Sequence, residues 1–461
     1  MKPRRRSAAL ALAFVLSRVL LDLLGLPFEF ELDWMFLPDP ADLKDRLWES
    51  LVWFHAFPPG MALFAGILLK TGSGATLAKW CFVGVGLVLT MSMYWLLRRV
   101  VHADATAWAI AFGFALTPPV LFLENVFLYD YPAAALLCVA ALLFVRATEQ
   151  STRLGWLSFG MVLTALGFLR SAFHPAWLFV LLIISVLLGR TQKTQRLLAL
   201  VPATLLVGWL TKNAALFGIF GMTSWAPANL VAVTTRQMNV EERDAWIREG
   251  RLSRFAGMSV FEGPAAYGEG FAIPGALPPQ LTSLTKPSSG SGNYNHWLFL
   301  EVNAARGLDS MTYIEARPVD YLATVATKSV PQYFGAITRW HPRDGKPGAP
   351  HEKHRALLGW WERSYERFMH PFSPFGVYLL FPLIMVLAAR KTWRAYRRGA
   401  QPLAALGVFC LLHIVVLSAA GCLFTWGECA RYRLMVEPLL WVMTAWVFSK
   451  RATASTNLAA V

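Results

Sequence analysis

Charged residues are scarce in this sequence, and hydrophobic residues are abundant. Only 15% of its 461 residues are charged and 56% are hydrophobic, whereas soluble domains carry about 25% charged residues. This composition excludes an ordinary soluble protein and indicates a polytopic membrane protein. The formal net charge of +15 does not indicate nucleic-acid binding, because much of it is the basic charge expected at membrane borders.

The sequence also lacks the cysteine spacing of a metal site. Its 5 cysteines include no C-x-x-C pair, so no structural zinc is expected. Cys81, Cys138 and Cys410 lie inside apolar runs and are expected to pack as small apolar residues. Cys422 and Cys429 bracket a predicted outer loop, where their spacing permits a disulfide without requiring one.

Ten apolar stretches predict membrane-spanning helices, because each reaches or approaches the roughly 17–25 residues of a span. Clusters of Lys and Arg, such as Arg98-Arg99, all fall on one side of the membrane if every stretch crosses it. Both termini are therefore predicted to be cytoplasmic. The stretches cover about residues 7–27, 79–97, 104–122, 132–146, 154–170, 172–189, 196–212, 373–389, 402–421 and 433–449.

The predicted fold is an all-α polytopic membrane protein with about ten transmembrane helices, outer interfacial helices and a small extracytoplasmic mixed segment. An N-terminal transmembrane module, 1–212, carries the outer loops 28–79 and 123–132. An extracytoplasmic loop domain, 213–370, with helices expected near 240–250 and 310–330, precedes C-terminal transmembrane helices at 371–461. The expected location is a bacterial inner membrane, with an endoplasmic reticulum membrane as the alternative.

The first outer loop contains an apolar element that is too short to cross a membrane. In "LVWFHAFPPGMALFAGILLK", residues 51–70, the apolar run ends at Leu69 and begins only at Met61. Proline favours the first turn of a helix, so Pro58-Pro59 predicts a helix start just after His55. We expect this helix to lie along the outer interface.

Two further predictions concern charged residues near the first span. Lys44, Arg46 and Trp48 suit an amphipathic interfacial helix ahead of the short apolar one. Arg18 and Asp22 lie one helical turn apart on the first span, so they are expected to pair with each other.

Acidic residues, a histidine and arginines occur in separate predicted outer loops. Carboxylates can act as a general base or bind a divalent cation, and arginines bind phosphate in bidentate geometry. Arg170 ends a span on the outer side, against the charge bias, and therefore calls for an anionic partner. Together these residues suit chemistry on a lipid-linked phosphate at the outer interface.

The order of these elements resembles the GT-C class of membrane glycosyltransferases, which use polyprenyl-phosphate sugars and include protein O-mannosyltransferases and the aminoarabinose transferases of lipid A. The 51–70 string resembles the class's H/K-P-P-L-x-x-x-L stretch. "FLYDYPAAALL", 127–137, resembles its D-x-P-L-x-x-L motif, and "GECARYRLMVEPLL", 427–440, its R-x-R…P loop. Residues 211–230, together with "GNYNHW" at 292–297, are similar to a poorly characterised branch.

The resemblance implies a catalytic acid in each of the first two outer loops. Asp33 is the implied catalytic base, although Trp34 stands where the class has the second acid of an Asp-Glu pair. Glu29, Glu31 and Asp39 are therefore alternative bases. Asp130 is the implied second catalytic acid, and with Asp33 it is the expected ligand of a divalent cation, Mg or Mn.

The resemblance also implies residues that bind the donor phosphate and further residues near the site. Each has a structural alternative: a loop acid, a helix-end partner, an interface anchor or a turn residue. The implied phosphate-binding residues are His55, Arg170, Arg431 and Arg433, and the further candidates are Glu31, Glu124, Asn293 and His296.

The implied function is transfer of a hexosyl or pentosyl group from a polyprenyl-phosphate donor to a lipid, glycan or protein acceptor in the cell envelope. A transporter or flippase of lipid-linked sugars is the alternative, and a non-catalytic scaffold is a second one. A transferase predicts Asp33, Asp130 and His55 around one outer cavity that continues into a lipid-sized groove. A transporter predicts a polar path through the bundle. Nucleic acid is not expected as a partner.

Overall fold

The computed structural model describes residues 3–150, 152–188, 193–268, 270–335, 350–369 and 380–449. Within these residues the chain forms helices and turns, and its β pairing consists of two isolated bridges, Glu29 with Val126 and Thr285 with Gly292. The predicted all-α fold is therefore confirmed for the described part. The mixed character predicted for the extracytoplasmic segment is wrong there, because its polar stretches fold into short helices and turns.

The helices of the N-terminal half begin with one long helix and continue with short ones before the main bundle. In chain order they are Pro3–Leu23 (α1), Pro40–Asp45 (α2), Leu47–Val52 (α3), Gly60–Lys70 (α4), Gly74–Val100 (α5), Asp104–Ala115 (α6), Pro118–Glu124 (α7), Asp130–Gln150 (α8), Arg153–Leu169 (α9), Ala176–Leu188 (α10), Lys193–Arg196 (α11) and Leu200–Phe217 (α12).

In the described residues, the C-terminal half contains short helices and five longer ones of 17 to 24 residues. They are Ala226–Val231 (α13), Val240–Arg248 (α14), Pro279–Thr282 (α15), Leu298–Ala316 (α16), Pro318–Thr324 (α17), Val330–Tyr333 (α18), Pro350–Met369 (α19), Phe381–Arg397 (α20), Gln401–Phe424 (α21) and Cys429–Phe448 (α22). Helices α14, α16 and α17 coincide with the helices predicted near 240–250 and 310–330.

Four helices of the described part are long and apolar enough to cross a membrane: Gly74–Val100, Asp130–Gln150, Thr194–Phe217 and Gln401–Phe424. Helices α6 and α7 meet at a bend of 58° and add a fifth if they count as one span. The predicted apolar stretches are mainly helical where they are described, with breaks at 24–27, 116–117 and 172–175, and ten complete spans are not shown. The stretch predicted at 373–389 begins outside the described residues, and the orientation of the termini stays a prediction.

The outer surface of these helices suits a hydrocarbon environment. On α1, Leu10 and Phe14 are fully buried, whereas Leu16 and Leu20 are more than half exposed. A continuous exposed apolar face of this kind marks contact with lipid or another apolar surface. Other large exposed apolar side chains lie on α10 and α12 at Phe179, Ile183, Leu187, Val201 and Leu205.

Helix α8 lies at the centre of the bundle and packs against α5, α9, α21 and α22. Small side chains allow this close approach, since Ala133, Ala140 and Ala141 of α8 are completely buried. The segment after α12 shares the same apolar core, because Trp225 and Phe299 belong to one cluster with α5 and α8.

Arg18 on α1 forms a buried ion pair with a different acid from the one predicted. Arg18 donates from Nε and Nη2 to the Glu124 carboxylate at 2.8 and 2.9 Å, and the Tyr131 hydroxyl donates to it at 2.6 Å. Asp22 pairs instead with Lys79. The predicted Arg18–Asp22 pair is wrong, because α7 brings Glu124 into the bundle beside Arg18.

The short helices of the first loop agree in part with the prediction. Pro59 directly precedes α4, which confirms the predicted helix start. Two helices, α2 and α3, replace the single amphipathic helix predicted around Lys44–Trp48, and Arg46 lies between them. The Asp39 carboxylate caps α2 by accepting the Ala41 N–H at 2.7 Å.

The two cysteines near the last predicted outer loop are free thiols. Cys422 and Cys429 form no disulfide with each other. The Cys429 thiol donates to the Thr425 carbonyl at 3.1 Å. Their spacing permits a disulfide, but the two residues, both in the described part of the chain, do not form one.

Candidate functional site

Loops from distant parts of the chain meet at one end of the bundle, where α1, α9 and α21 end and α8 and α22 begin. We call this the loop end. The Glu29 N–H donates to the Asn125 carbonyl at 2.8 Å, and the rings of Phe36 and Tyr129 lie 5.0 Å apart. These contacts join the first two predicted outer loops, so the loop end is the predicted outer side of the protein.

Asp33 is a partly exposed carboxylate held by one distant segment. The Ser291 hydroxyl and the Ser289 hydroxyl, the latter at 2.8 Å, both donate to its Oδ1 atom. The Lys286 ammonium lies 3.5 Å from the same oxygen and also donates to the Trp34 carbonyl at 2.8 Å. Residues 286–291, which we call the serine–lysine segment, therefore fix the position of the implied catalytic base.

This arrangement lowers the pKa of both Asp33 and Lys286, which favours the charged form of Asp33 and disfavours that of Lys286. Burial alone would raise the pKa of Asp33, but the hydrogen bonds from Ser291 and Ser289 and the charge of Lys286 outweigh it and lower the pKa. Burial also lowers the pKa of Lys286, and the Asp33 charge opposes this only in part. The difference follows from exposure, since 26% of the Asp33 side chain and 2% of the Lys286 side chain are accessible.

The alternative acids of the first loop hold the backbone. Asp39 is buried, and its second oxygen accepts the Ser288 N–H and hydroxyl, both at 2.9 Å. Glu31 accepts the Asp33 N–H at 2.8 Å and so shapes the turn that presents Asp33. Glu29 is buried, and its backbone pairs with the 125–127 stretch. Among these acids the geometry favours Asp33 as the residue available to a substrate.

Asp130 lies in a fully buried cluster with two arginines, which we call the arginine cluster. Arg170 donates to its Oδ1 atom, and Arg431 donates from Nε to its Oδ2 atom at 2.8 Å, with Nη2 at 2.6 Å from the same oxygen. Arg431 also bonds Glu428 at 2.9 Å. Arg170 thus has the anionic partner that its position predicted, and with the partly exposed Glu428 the four formal charges cancel.

Aromatic rings cover the arginine cluster on one side. The Arg170 guanidinium lies 4.0 Å from the centre of the Tyr432 ring and 5.0 Å from that of Tyr129. The Arg431 guanidinium lies 5.1 Å from the same Tyr129 ring. Cation–π contacts of this kind strengthen when the groups are shielded from water, so they help to keep both arginines inside the protein.

Arg433 lies apart from the arginine cluster. Its Nη1 atom donates to the carbonyls of Tyr333 and Gly335 at 2.6 and 2.8 Å, and Nε lies 3.5 Å from Glu437. It therefore ties the end of α18 to α22. Its implied role at the donor phosphate stays a prediction, and the structure does not bring it together with Arg431.

His55 lies completely buried between the first loop and the segment after α12. Its Nδ1 atom bonds the Ser224 hydroxyl at 2.8 Å, and the Asn295 side chain accepts its backbone N–H at 3.0 Å. Nε2 has no hydrogen-bond partner among the described residues. Burial and the nearby Lys212 charge lower the pKa of His55 to about 3, so its ring is neutral at physiological pH.

Lys212 is a cation near His55 that the sequence analysis did not single out. Its ammonium donates to the Phe54 carbonyl at 2.6 Å and lies 3.5 Å from the centre of the Trp209 ring. It takes part in no ion pair within the described residues. The signal in the sequence was a lysine inside an apolar stretch, which is costly in a membrane and usually functional.

Asn293 and His296 stabilise the turn that carries the serine–lysine segment. Asn293 donates to the carbonyls of Gln280 and Ser283 at 3.0 and 2.9 Å. His296 Nε2 bonds the Thr282 carbonyl at 3.1 Å. Glu124, the remaining candidate, is the buried partner of Arg18 described above. These contacts show that all three residues stabilise the fold. Their predicted roles at the site stay predictions.

Phe36 connects the three predicted parts of the site. Its ring contacts Tyr129 beside the arginine cluster, and its centre lies 6.4 Å from that of Phe57, two residues after His55. Asp33 is on the same loop as Phe36. A cavity of about 50 Å³ lies nearby and is lined by residues that include Asp39 and Lys286. This cavity is too small for a lipid tail, so the lipid-sized groove stays a prediction.

The described residues do not fit a divalent cation held by Asp33 and Asp130. In the described part, no group of three or more His, Cys, Asp or Glu side chains could hold a metal ion. Both Asp130 oxygens bind guanidinium groups, and Asp33 binds hydroxyls and an ammonium. Mg and Mn require oxygen ligands that are not already neutralised by cations, so these two carboxylates offer a metal no suitable ligand set.

Comparisons with known proteins give little further information. No protein-family model and no curated protein matches the chain. Among solved structures the chain is similar to the archaeal oligosaccharyltransferase AglB from Archaeoglobus fulgidus, in complex with an inhibitory peptide and a dolichol-phosphate. The TM-score is 0.40 and the identity 13%, over 95% of this chain and 49% of that one. The chain thus spans about half of that protein's length, and a similarity of this degree assigns no function.

Proposed function

We propose that this protein is an integral membrane glycosyltransferase that transfers a sugar from a polyprenyl-phosphate donor to a lipid, glycan or protein acceptor at the loop end. The observation that carries the proposal is the position of Asp33. It is a partly exposed carboxylate, fixed by the serine–lysine segment, on a loop that packs directly beside the arginine cluster. An accessible base next to buried cations suits transfer from a phosphate leaving group.

Asp33 activates the acceptor in this proposal. Its lowered pKa keeps it ionised at neutral pH, so it accepts a hydrogen bond from the acceptor hydroxyl. The hydroxyl oxygen attacks the anomeric carbon while the bond to the donor phosphate breaks, through an oxocarbenium-like transition state. The hydroxyl proton passes to Asp33 as the new glycosidic bond forms, and general-base catalysis of this kind contributes about 10²–10⁴-fold in rate.

The leaving polyprenyl phosphate gains negative charge, and cations near the loop end stabilise it. Lys212 suits this role because its ammonium has no carboxylate partner in the described part of the chain. Arg431 also contributes, since its second acid, Glu428, is 34% exposed and can exchange with a phosphate. His55 adds a buried ring nitrogen that is free to bond a phosphate oxygen.

The positions of the buried charges favour a transferase over a transporter. Glu124 ends α7, Asp130 begins α8, and Arg170 directly follows α9. Arg18 and Arg431 also lie near the loop end of their helices. A transporter needs polar groups along a path near the middle of the membrane, whereas these charges gather at one end.

The test is sugar transfer in membranes from a radiolabelled polyprenyl-phosphate sugar, with wild type and Asp33→Asn at equal expression. Asparagine keeps the size of the side chain and accepts hydrogen bonds but is no base, so transfer falls by about 10²–10⁴-fold. Asp22→Asn, at an acid that is 41% exposed, is the matched control and retains activity. Equal activity in Asp33→Asn would overturn the assignment of the base. The transporter would be favoured if the wild-type protein is inactive with every donor but moves labelled lipid-linked sugar across the membrane of vesicles.

A further inference from the structure

Arg306 of α16 is a fully buried cation without an acidic partner. Its Nη2 atom donates to the Ser259 carbonyl at 3.0 Å and to the Tyr267 hydroxyl at 2.9 Å, with the Met258 carbonyl at 3.4 Å. Nε and Nη1 have no hydrogen-bond partner within the described residues. A guanidinium carries five N–H donors, so the three on Nε and Nη1 are left without an acceptor.

A second unpartnered side chain lies on the same face of α16. Asn303 is one helical turn before Arg306 and is completely buried, and neither its Oδ1 nor its Nδ2 atom has a partner in the described part of the chain. Thr235, in the short turn that packs on α16, is also fully buried with an unpartnered hydroxyl. Buried polar groups without partners are rare in native proteins, and two of these lie on one helix face.

The nearest buried acid on this helix face does not neutralise Arg306. Both carboxylate oxygens of Asp309 bind Ser253, through its N–H at 2.7 Å and its hydroxyl at 2.6 Å. Arg306 forms no ion pair with Asp309 or any other acid among the described residues. A buried, uncompensated charge is strongly unfavourable, so an anion that met the free guanidinium atoms would stabilise this arrangement.

We propose that Arg306 and Asn303 form a binding site for a small oxyanion group, a carboxylate or a phosphate, separate from the proposed transfer site. Arginine donates strong, charge-assisted hydrogen bonds to such groups, and the Asn303 amide adds a further donor. Residues 258–267 hydrogen-bond Arg306 only at its Nη2 atom, and the Tyr267 ring centre lies 5.4 Å from the guanidinium carbon. Phe261 in this stretch is 57% exposed. The anion enters when this surface stretch moves outward.

The test uses the purified full-length protein in a neutral detergent. The melting temperature is measured at pH 7 by tryptophan fluorescence. It is determined at increasing concentrations of sodium phosphate, sodium acetate or sodium chloride, with the ionic strength held constant. The expected result is a saturable rise in Tm of about 1–3 °C with phosphate or acetate over chloride. A further arm adds phosphatidylglycerol, because a rise with that lipid alone identifies a headgroup phosphate as the source.

Variants separate a bound anion from a general salt effect. Arg306→Met removes the uncompensated charge, so its Tm in chloride equals or exceeds that of wild type and its response to phosphate is lost. Asn303→Leu weakens the response, whereas Arg254→Met, at an exposed arginine of the same segment, retains it. If Arg306→Met does not fold, Arg306→Lys replaces it. This variant keeps the charge with fewer donors, so the phosphate concentration at half of the maximal Tm rise should increase. No saturable rise in wild type, or an equal rise in Arg306→Met, would overturn the proposal.

Discussion

Asp130 illustrates how the partners of a buried charge set its contribution to stability. Its two oxygens bind Arg170 and Arg431, and its side chain is completely buried. A buried charge is tolerated when it is paired, and removal of one partner leaves the others uncompensated. The residue that the sequence implied to be catalytic is therefore also a structural centre of the loop end.

Asp130→Asn is expected to destabilise the protein by about 3–5 kcal/mol, because it leaves the buried Arg170 without an acid and Arg431 with Glu428 alone. Thermal unfolding in detergent measures the effect. Asp22→Asn removes the partner of Lys79 in a more exposed pair and should cost about 1 kcal/mol or less. Equal melting temperatures for wild type and Asp130→Asn would contradict the arrangement of the arginine cluster.

His55 predicts a pH dependence of stability. Its pKa is about 3 in the folded protein against 6.5 for an ordinary histidine, so the unfolded chain binds more protons at acidic pH. The contribution to stability is complete above pH 6.5 and is lost as pH falls toward 3, by about 1.4 kcal/mol per pH unit at most. His55→Asn, which can keep the Ser224 contact, should flatten the dependence of Tm on pH in this range. An unchanged profile would show that His55 is not buried as a neutral ring.

Lys212→Met separates function from stability at a single residue. The ammonium has no carboxylate partner in the described part, so its loss should leave Tm unchanged or raise it. Transfer should fall at least about tenfold, because one charge that stabilises the leaving phosphate is missing. Lys70→Met, at an exposed lysine, is the control and keeps full activity. Full activity in Lys212→Met would remove this residue from the proposed site.

At the scale of elements, the turn around the serine–lysine segment positions the site. The Asn295 side chain accepts the N–H groups of His55 and Ala56 at 3.0 and 3.2 Å and donates to the Trp53 carbonyl at 2.9 Å. One side chain therefore joins this turn to the loop before α4. The same turn presents Lys286 and both serines to Asp33.

Asn295→Ala should loosen both loops together. It leaves buried backbone groups of the 53–56 stretch unpaired, which costs about 1–3 kcal/mol for each unsatisfied group. Limited proteolysis and thermal unfolding should both show the effect, with faster cleavage in the 283–297 region. Asn239→Ala, which removes the exposed cap of α14, should cost only about 1 kcal/mol. If the two variants unfold at the same temperature, Asn295 does not join the loops.

At the scale of the whole molecule, the apolar exterior and the charged loop end are separate regions. Exposed leucines cover α1, and the buried ion pairs of Arg18 with Glu124 and of Arg170 with Asp130 lie where the loops meet. The helix bundle thus acts as a rigid base in the membrane, and the loops above it carry the chemistry that we propose.

Metal removal tests the chemistry of the whole site. Because the described residues offer no cluster that could hold a cation, dialysis against EDTA should leave the rate of transfer unchanged within about twofold of untreated enzyme. The measurement is the same radiolabel assay before and after chelation. Loss of activity that Mg or Mn restores would show that a cation acts in the reaction after all.

Local sequence patterns determined the helices of this protein. The apolar stretches and the Pro58-Pro59 helix start depend on neighbours along the chain, and they form helices in the described part of the structure. Only the tertiary structure decided the partners of the charges. Arg18 meets Glu124 rather than Asp22, and Asp33 meets Lys286 from the other half of the chain. The physical reason is that an ion pair depends on which surfaces pack together, and short-range periodicity does not contain that information.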